Sequence, residues 1–245
     1  MKAYIKQVVP QPFIVGSKVA FRYVRHISNG AFFKWVNQKK AAFETNFLPQ
    51  LIEKQEIKHG VLFENKWHNI QLTASKISGV VMPRGAIFSF WHLVGNPSER
   101  NGYRKSRMIR NGEVDFEIGG GICQVSSIVY LAALRAGLTI LERHSHSVDI
   151  YQEHERVAPL GADATVVYGT KDFQFMNNLD SDIQLIFNVL EKEITLTIFS
   201  KTPIEERILH FERHDEGTKR IVKTIAERQG RREELVVSVY KIQNK

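Results

Sequence analysis

The only cysteine of this 245-residue chain, Cys123, comes directly after Gly119-Gly120-Gly121-Ile122 and precedes an apolar run from Val125 to Ala136 that stops at Gly137. A run apolar nearly all round predicts a buried helix over about residues 122–136, with Gly137 as its C-terminal stop and Cys123 in its first turn. The free N–H groups and positive dipole end of a first helical turn stabilise a thiolate, which is one route to a nucleophilic cysteine. Gly119, Gly120 and Gly121 let backbone or substrate approach closely and can present N–H groups to an oxyanion, with Gln124 as a further donor. Taken alone, a lone cysteine after a tight turn reads more simply as a buried structural residue.

Residues C-terminal to Cys123 strengthen the chemical reading. Leu138 to Glu142 predicts a strand, and His144 and His146 beyond it share one face if the chain stays extended, because side chains alternate. Asp163 then opens a predicted strand over Ala164 to Tyr168 and can orient an imidazole. A Cys at a helix start with His and Asp on later strands resembles the core of papain-like and transglutaminase-like thiol enzymes. In that reading Cys123 attacks, His144 or His146 relays the proton, and Asp163 positions the ring. The same side chains also form a candidate zinc set, His144 and His146 with Cys123 or Asp163, although His-x-His without a CxxC or HExxH is a weak metal signal. Thiol chemistry needs no cofactor, and none is expected.

The elements that must position these residues predict an α+β fold. Residues 17–58 carry Phe21, Val24, Ile27, Phe32, Phe33, Trp35, Val36, Phe43, Phe47, Leu48, Leu51 and Ile52, mostly at three- and four-residue spacing, and predict a helical N-terminal third. Turn signals at Gly95-Asn96-Pro97, Asn101-Gly102 and Asn111-Gly112 punctuate the approach to the central helix. From Ala162 onward the alternation has a period of two. Ile183 to Val189 and Ile194 to Phe199 read as a hairpin, and Ile208 to Phe211, Ile221 to Ile225 and Leu235 to Val239 as further strands of a mainly antiparallel sheet. The expected division is a helical region at 1–59, a core at 60–200, and strands at 201–245 that continue the same unit.

Composition removes several classes. With 43% hydrophobic residues and 24% charged, the chain is of ordinary globular type. One cysteine excludes a disulfide-framed scaffold and favours a reducing, cytoplasmic setting. No stretch reaches the roughly 18 consecutive apolar residues of a spanning helix. The formal charge of +8 favours anionic partners, but nucleic-acid motifs are absent and no nucleic-acid partner is expected. Arg100, Arg104, Lys105, Arg107 and Arg110, with no acid among them, could form a lip that attracts an anion toward the thiol; a solvated basic loop is the plainer reading. Residues 17–43 hold Lys18, Arg22, Arg25, Lys34, Lys39 and Lys40 among aromatics, again with no acid. They suit either an amphipathic core helix or a helix lying on an anionic membrane surface.

Ordered motifs run along about residues 70–190: Gly85-Ala86-Ile87-Phe88-Ser89-Phe90, Val94-Gly95, Asn101-Gly102-Tyr103, Gly119 to Ser127, Arg143-His144-Ser145-His146-Ser147, Gly161 to Val166 and Phe175-Met176-Asn177-Asn178. In these motifs the chain resembles the VanW family, named for a protein of B-type vancomycin resistance. The resemblance implies a cell-envelope or glycopeptide-resistance context. Three functions stand as expectations. The first is a thiol hydrolase or acyl/amide transferase acting on a cell-wall precursor through Cys123, His144 or His146, Asp163 and Gln124. The second is a non-catalytic module that binds an anionic peptide or glycan through Gly119, Gly120, Gly121, Arg104, Arg107 and Arg110. The third is a zinc-dependent hydrolase using His144 and His146.

Overall fold

The computed structural model describes residues 11–37, 46–110, 113–149, 153 and 156–242. The architecture is α+β. Strands β1 (Leu48–Glu56), β2 (Val80–Met82), β9 (Ile183–Val189) and β10 (Glu193–Ser200) form an antiparallel sheet in the order β1-β10-β9-β2. The hairpin expected at 183–199 is present, and Ile194, Leu196 and Ile198 alternate inward as its period of two requires. Helix α1 (Gln11–Ser28) precedes this sheet, and helix α2 (Phe63–Ile77) lies against it beside a later helix.

That later helix is the centre of the molecule. After β3 (Ile87–Ser89), the short α3 (Phe90–Val94) and the hairpin β4 (Lys105–Arg110) with β5 (Glu113–Ile118), α4 runs from Ile122 to Arg135. Every residue from Val125 to Leu134 is buried, as an all-round apolar helix demands. It ends as expected at Gly137, whose φ of 74° is a left-handed conformation. Gly137 N–H donates to Leu134 O and Leu138 N–H to Ala133 O, which satisfies the last carbonyls of the helix.

Beyond it, β6 (Thr139–Glu142) joins β3 and β8 (Gln174–Met176) in the order β3-β8-β6. The C-terminal strands β11 (Ile208–Glu216), β12 (Lys219–Arg228) and β13 (Arg231–Ile242) form a separate antiparallel sheet, to which β7 (Val148–Asp149) adds in parallel beside β13.

Three local expectations are corrected. Residues 48–56 form strand β1, so the N-terminal third is only partly helical. The inward positions of β1 are Leu51, Glu53 and Gln55, two of them polar, so the alternation is invisible to a hydrophobicity reading. Glu53 tolerates burial because Arg135, at the end of α4, pairs with it and also donates to Ile52 O at 3.0 Å. Residues 164–168 do not form a strand; helix α4 holds that segment instead. Ser126 Oγ donates to Ala164 O at 2.5 Å, and Ala164 N–H donates to Ser127 Oγ at 3.0 Å. Residues 143–147 are likewise irregular, so the two histidines do not share a strand face. Lys39, Lys40 and Phe43 lie outside the described residues, as does the Asn111-Gly112 turn.

Gly119 and Gly120 are buried where β4 crosses the start of α4. A Cβ on Gly120 would stand 2.5 Å from Arg107 O and 2.9 Å from the Ser106 carbonyl carbon, both backbone atoms that cannot swing aside. Gly120→Ala is therefore expected to cost about 1–3 kcal/mol of stability, as overpacking of a dense core does, read as a lowered denaturant midpoint with an unchanged slope.

Candidate active site

Cys123 is the second residue of α4, and its side chain is half-buried. The helix places Sγ 4.0 Å from Thr165 Oγ1 and 3.8 Å from Val166 O, in the segment that Ser126 and Ser127 anchor. The loop after β6 then brings His146 to the sulfur, within hydrogen-bonding reach. The imidazole is oriented from behind, its Nδ1 lying 2.7 Å from Asp163 Oδ2, while the His146 backbone N–H donates to the same oxygen at 2.6 Å. With Nδ1 engaged by the carboxylate, Nε2 is the ring nitrogen left to interact with the thiol.

The rest of Asp163 is equally committed. Oδ1 accepts from Tyr240 Oη at 2.5 Å and from Arg143 Nη2 at 3.0 Å. Arg143 is itself buried and further pinned, donating to Asp163 O, Gly161 O and Ser238 Oγ, with its guanidinium over the Tyr130 ring of α4. Strand β13 thus supplies Tyr240 and Ser238, α4 supplies Cys123 and Tyr130, and the loop after β6 supplies Arg143 and His146.

The charges are set by this packing. Burial pushes the Asp163 carboxyl up, but hydrogen bonds from His146 and Tyr240 and the charges of His146 and Arg143 overcome it and hold the group ionised, well below the usual carboxylate range. Burial pushes the His146 imidazole down, yet its bonds to Asp163 and Cys123 and their negative charge raise it to about 10. Burial likewise pushes the Cys123 thiol up, and the hydrogen bond and charge of His146 bring it below its ordinary value. Tyr240 moves up, through burial and the neighbouring Asp163 charge, so it remains a neutral donor. The arrangement sets a thiol lowered by its neighbours beside a raised imidazole and a fixed carboxylate.

The remaining expected site residues lie elsewhere. His144 turns away from the sulfur, its Nε2 3.0 Å from Glu142 Oε1. Gln124 Nε2 donates to Glu56 O at the end of β1, 2.7 Å away, and is not an oxyanion donor in this arrangement. Gly119 N–H donates to Arg104 O, so that N–H is already used within the protein. Arg104 and Arg107 are exposed on and beside β4, next to the glycine run, and the Arg110 side chain lies outside the described residues. Among the described residues no group of three His, Cys, Asp or Glu side chains is disposed to hold a metal ion, because His144 and His146 diverge to different partners. Sequence reasoning misses Arg143 and Tyr240 as members of the site. Arg143 stands in the Arg-His-Ser-His motif, whereas nothing near Tyr240 marks it.

The class this defines is an α+β protein whose buried central helix presents a cysteine to a histidine–aspartate pair. The chain belongs to the VanW family: the model described as VanW like protein matches residues 65–199, more than half of the sequence. It is 35% identical over 145 residues to the uncharacterized protein YoaR of Bacillus subtilis (strain 168), an alignment covering 59% of this chain and 46% of that protein. It is 31% identical over 137 residues to the vancomycin B-type resistance protein VanW of Enterococcus faecalis (strain ATCC 700802 / V583), covering 56% and 50% respectively. The chain thus spans about half the length of these relatives. No solved structure matches it significantly. Among the described residues no helix is long and apolar enough to cross a membrane.

The His146 pairing has a measurable consequence. Its folded value of about 10 lies above an unfolded value of about 6.5, so its contribution to stability is complete below the unfolded value and is lost as pH rises through the folded one. A nitrogen-15 NMR titration should place the His146 midpoint near 10. Asp163→Asn should move it down toward the unfolded value, and a wild-type midpoint already there would dissolve the ion pair.

Proposed function

We propose that this protein is a thiol hydrolase or acyl transferase that acts on a peptide-like amide or ester bond, with a cell-wall precursor as the substrate class. The observation that carries this reading is the alignment of Cys123, His146 and Asp163, with the thiol lowered and the imidazole raised by each other. In the first half-reaction the Cys123 thiolate adds to the substrate carbonyl, forming the C–S bond and placing the electron pair on oxygen. Collapse expels the amine or alkoxide, which takes the proton carried by His146, and a thioester remains on Cys123. In the second half-reaction neutral His146 removes a proton from water or an acceptor amine as it attacks the thioester, and thiolate and imidazolium are regenerated. Asp163 is a positioning residue: it fixes the ring and stabilises its charged form without exchanging a proton, since Arg143 and Tyr240 keep it ionised.

The setting comes from the relatives. One of them is named as a vancomycin B-type resistance protein, which supports a substrate drawn from cell-wall synthesis. Thr165 Oγ1, near the sulfur, is the polar group best placed to contact a bound carbonyl.

Alkylation of Cys123 by iodoacetamide should proceed at neutral pH at a rate that changes little as pH rises through the ordinary thiol range. His146→Ala should restore the steep rise of a normal thiol. Cys123→Ala should lower turnover of amide-containing cell-wall precursors by at least about 10³-fold, while Cys123→Ser leaves the melting temperature close to wild type. An inert thiol in the folded protein, or turnover that survives Cys123→Ala, would sink the proposal and favour a binding module.

A further inference from the structure

Helix α1 is apolar on two sides: half-buried Ile14, Val15, Val19 and Tyr23 lie with Arg22 and His26, and a further set of large apolar side chains points to solvent. The inner face is occupied. Val15 and Val19 lie against Gly169, Tyr23 and His26 pack on the Trp35 ring, and Arg22 pairs with Glu142 at 2.6 Å and donates to Thr170 O. The outer face carries Phe13, Phe21, Val24 and Ile27, spaced by eight, three and three residues so that they fall on one stripe. Phe13, Phe21 and Val24 are 72%, 71% and 64% exposed, and Phe33, in the 3₁₀ turn Ala31–Lys34 beyond the helix, is 77% exposed. Small residues, Gly16, Ser17, Ala20 and Ser28, complete the outer face.

The charge around this stripe has one sign. Lys18, Arg25 and Lys34 are exposed beside it. No acidic residue occurs before Glu44, and the eight Lys and Arg of residues 1–43 equal the formal charge of the whole chain, +8. The other 26 Lys and Arg balance the 26 Asp and Glu. An apolar stripe flanked only by cations is matched to an anionic bilayer surface: phenyl rings enter the boundary between headgroups and acyl chains while Lys and Arg remain at headgroup level. A second copy of this chain would bring the same positive charge to the contact, which disfavours self-association there.

We infer that the outer face of α1 docks this protein on an anionic lipid surface, with Phe13, Phe21 and Val24 as the apolar contact and Lys18, Arg25 and Lys34 as the electrostatic one. The inference is independent of the chemistry at Cys123. It also gives the molecule an orientation, because the inner face of the same helix holds Glu142, at the end of the strand that leads into the loop carrying His146.

The test is co-sedimentation of the full chain with phosphatidylcholine vesicles, with and without phosphatidylglycerol. The protein should sediment with the anionic vesicles and remain in solution with the neutral ones, and binding should weaken with added salt. Lys18→Gln with Arg25→Gln should lower the partition coefficient about thirtyfold, while Lys192→Gln with Lys219→Gln, exposed elsewhere, should leave it unchanged. Phe21→Glu with Val24→Glu should abolish binding at an unchanged melting temperature, since both side chains are already in solvent. Equal sedimentation with both vesicle types overturns the inference, as does binding that survives the Phe21 and Val24 changes. An oligomer in solution that the same double variant dissociates, without vesicle binding by the wild type, would assign the face to a second copy.

Discussion

A buried carboxylate cannot stay ionised without donors, and the order around Cys123 rests on how Asp163 is satisfied. Its four donors come from the Arg143 guanidinium, the Tyr240 hydroxyl, and the ring and backbone of His146. Each donor is fixed in turn by this engagement. Arg143 could not remain buried over Tyr130 without a counter-charge, and the His146 ring would have no preferred orientation. The carboxylate therefore serves structure and electrostatics with the same lone pairs. It ties the C-terminal sheet to the central helix and sets the charge on the imidazole that meets the thiol.

The parts of the fold legible in the sequence are those whose signal is local. Helix α4 is readable because its apolar run has no polar face and ends at a glycine that alone tolerates the left-handed cap easily. The β9–β10 hairpin is readable because its alternation is uninterrupted. Strand β1 is not, since Glu53 and Gln55 fill inward positions and Glu53 becomes acceptable only once Arg135 arrives from 82 residues away. The same holds within the site. Order and spacing suffice to propose Cys, His and Asp, but not to choose between His144 and His146. That choice depends on an irregular loop whose shape is set by Asp163 accepting a backbone N–H, a feature without a composition signature. Tyr240 lies 77 residues from Asp163 in an ordinary strand and carries no local signal at all.

The family match and the site do not have the same boundaries. Residues 65–199 include Cys123, Arg143, His146 and Asp163, so the thiol, the imidazole and the carboxylate all belong to the shared region. Tyr240 and Ser238, which close the far side of the carboxylate, stand outside it, as does the strand that carries them. Helix α1, which contributes Arg22 to the link with Glu142, is outside it as well. The common core thus carries the cysteine, the histidine and the aspartate, and the flanking elements of this chain supply a donor to the carboxylate and a cover over β6.

The Tyr240 contact also bears on timing. Synthesis proceeds from the N-terminus, so the helix bearing Cys123 emerges well before the strand that completes the shell around Asp163. Until β13 pairs with β12 and β7, the carboxylate lacks one of its donors and the loop holding His146 lacks its outer wall. In a half-made chain Asp163 is accordingly less fully satisfied, and its hold on the His146 ring is completed only when the last strand docks.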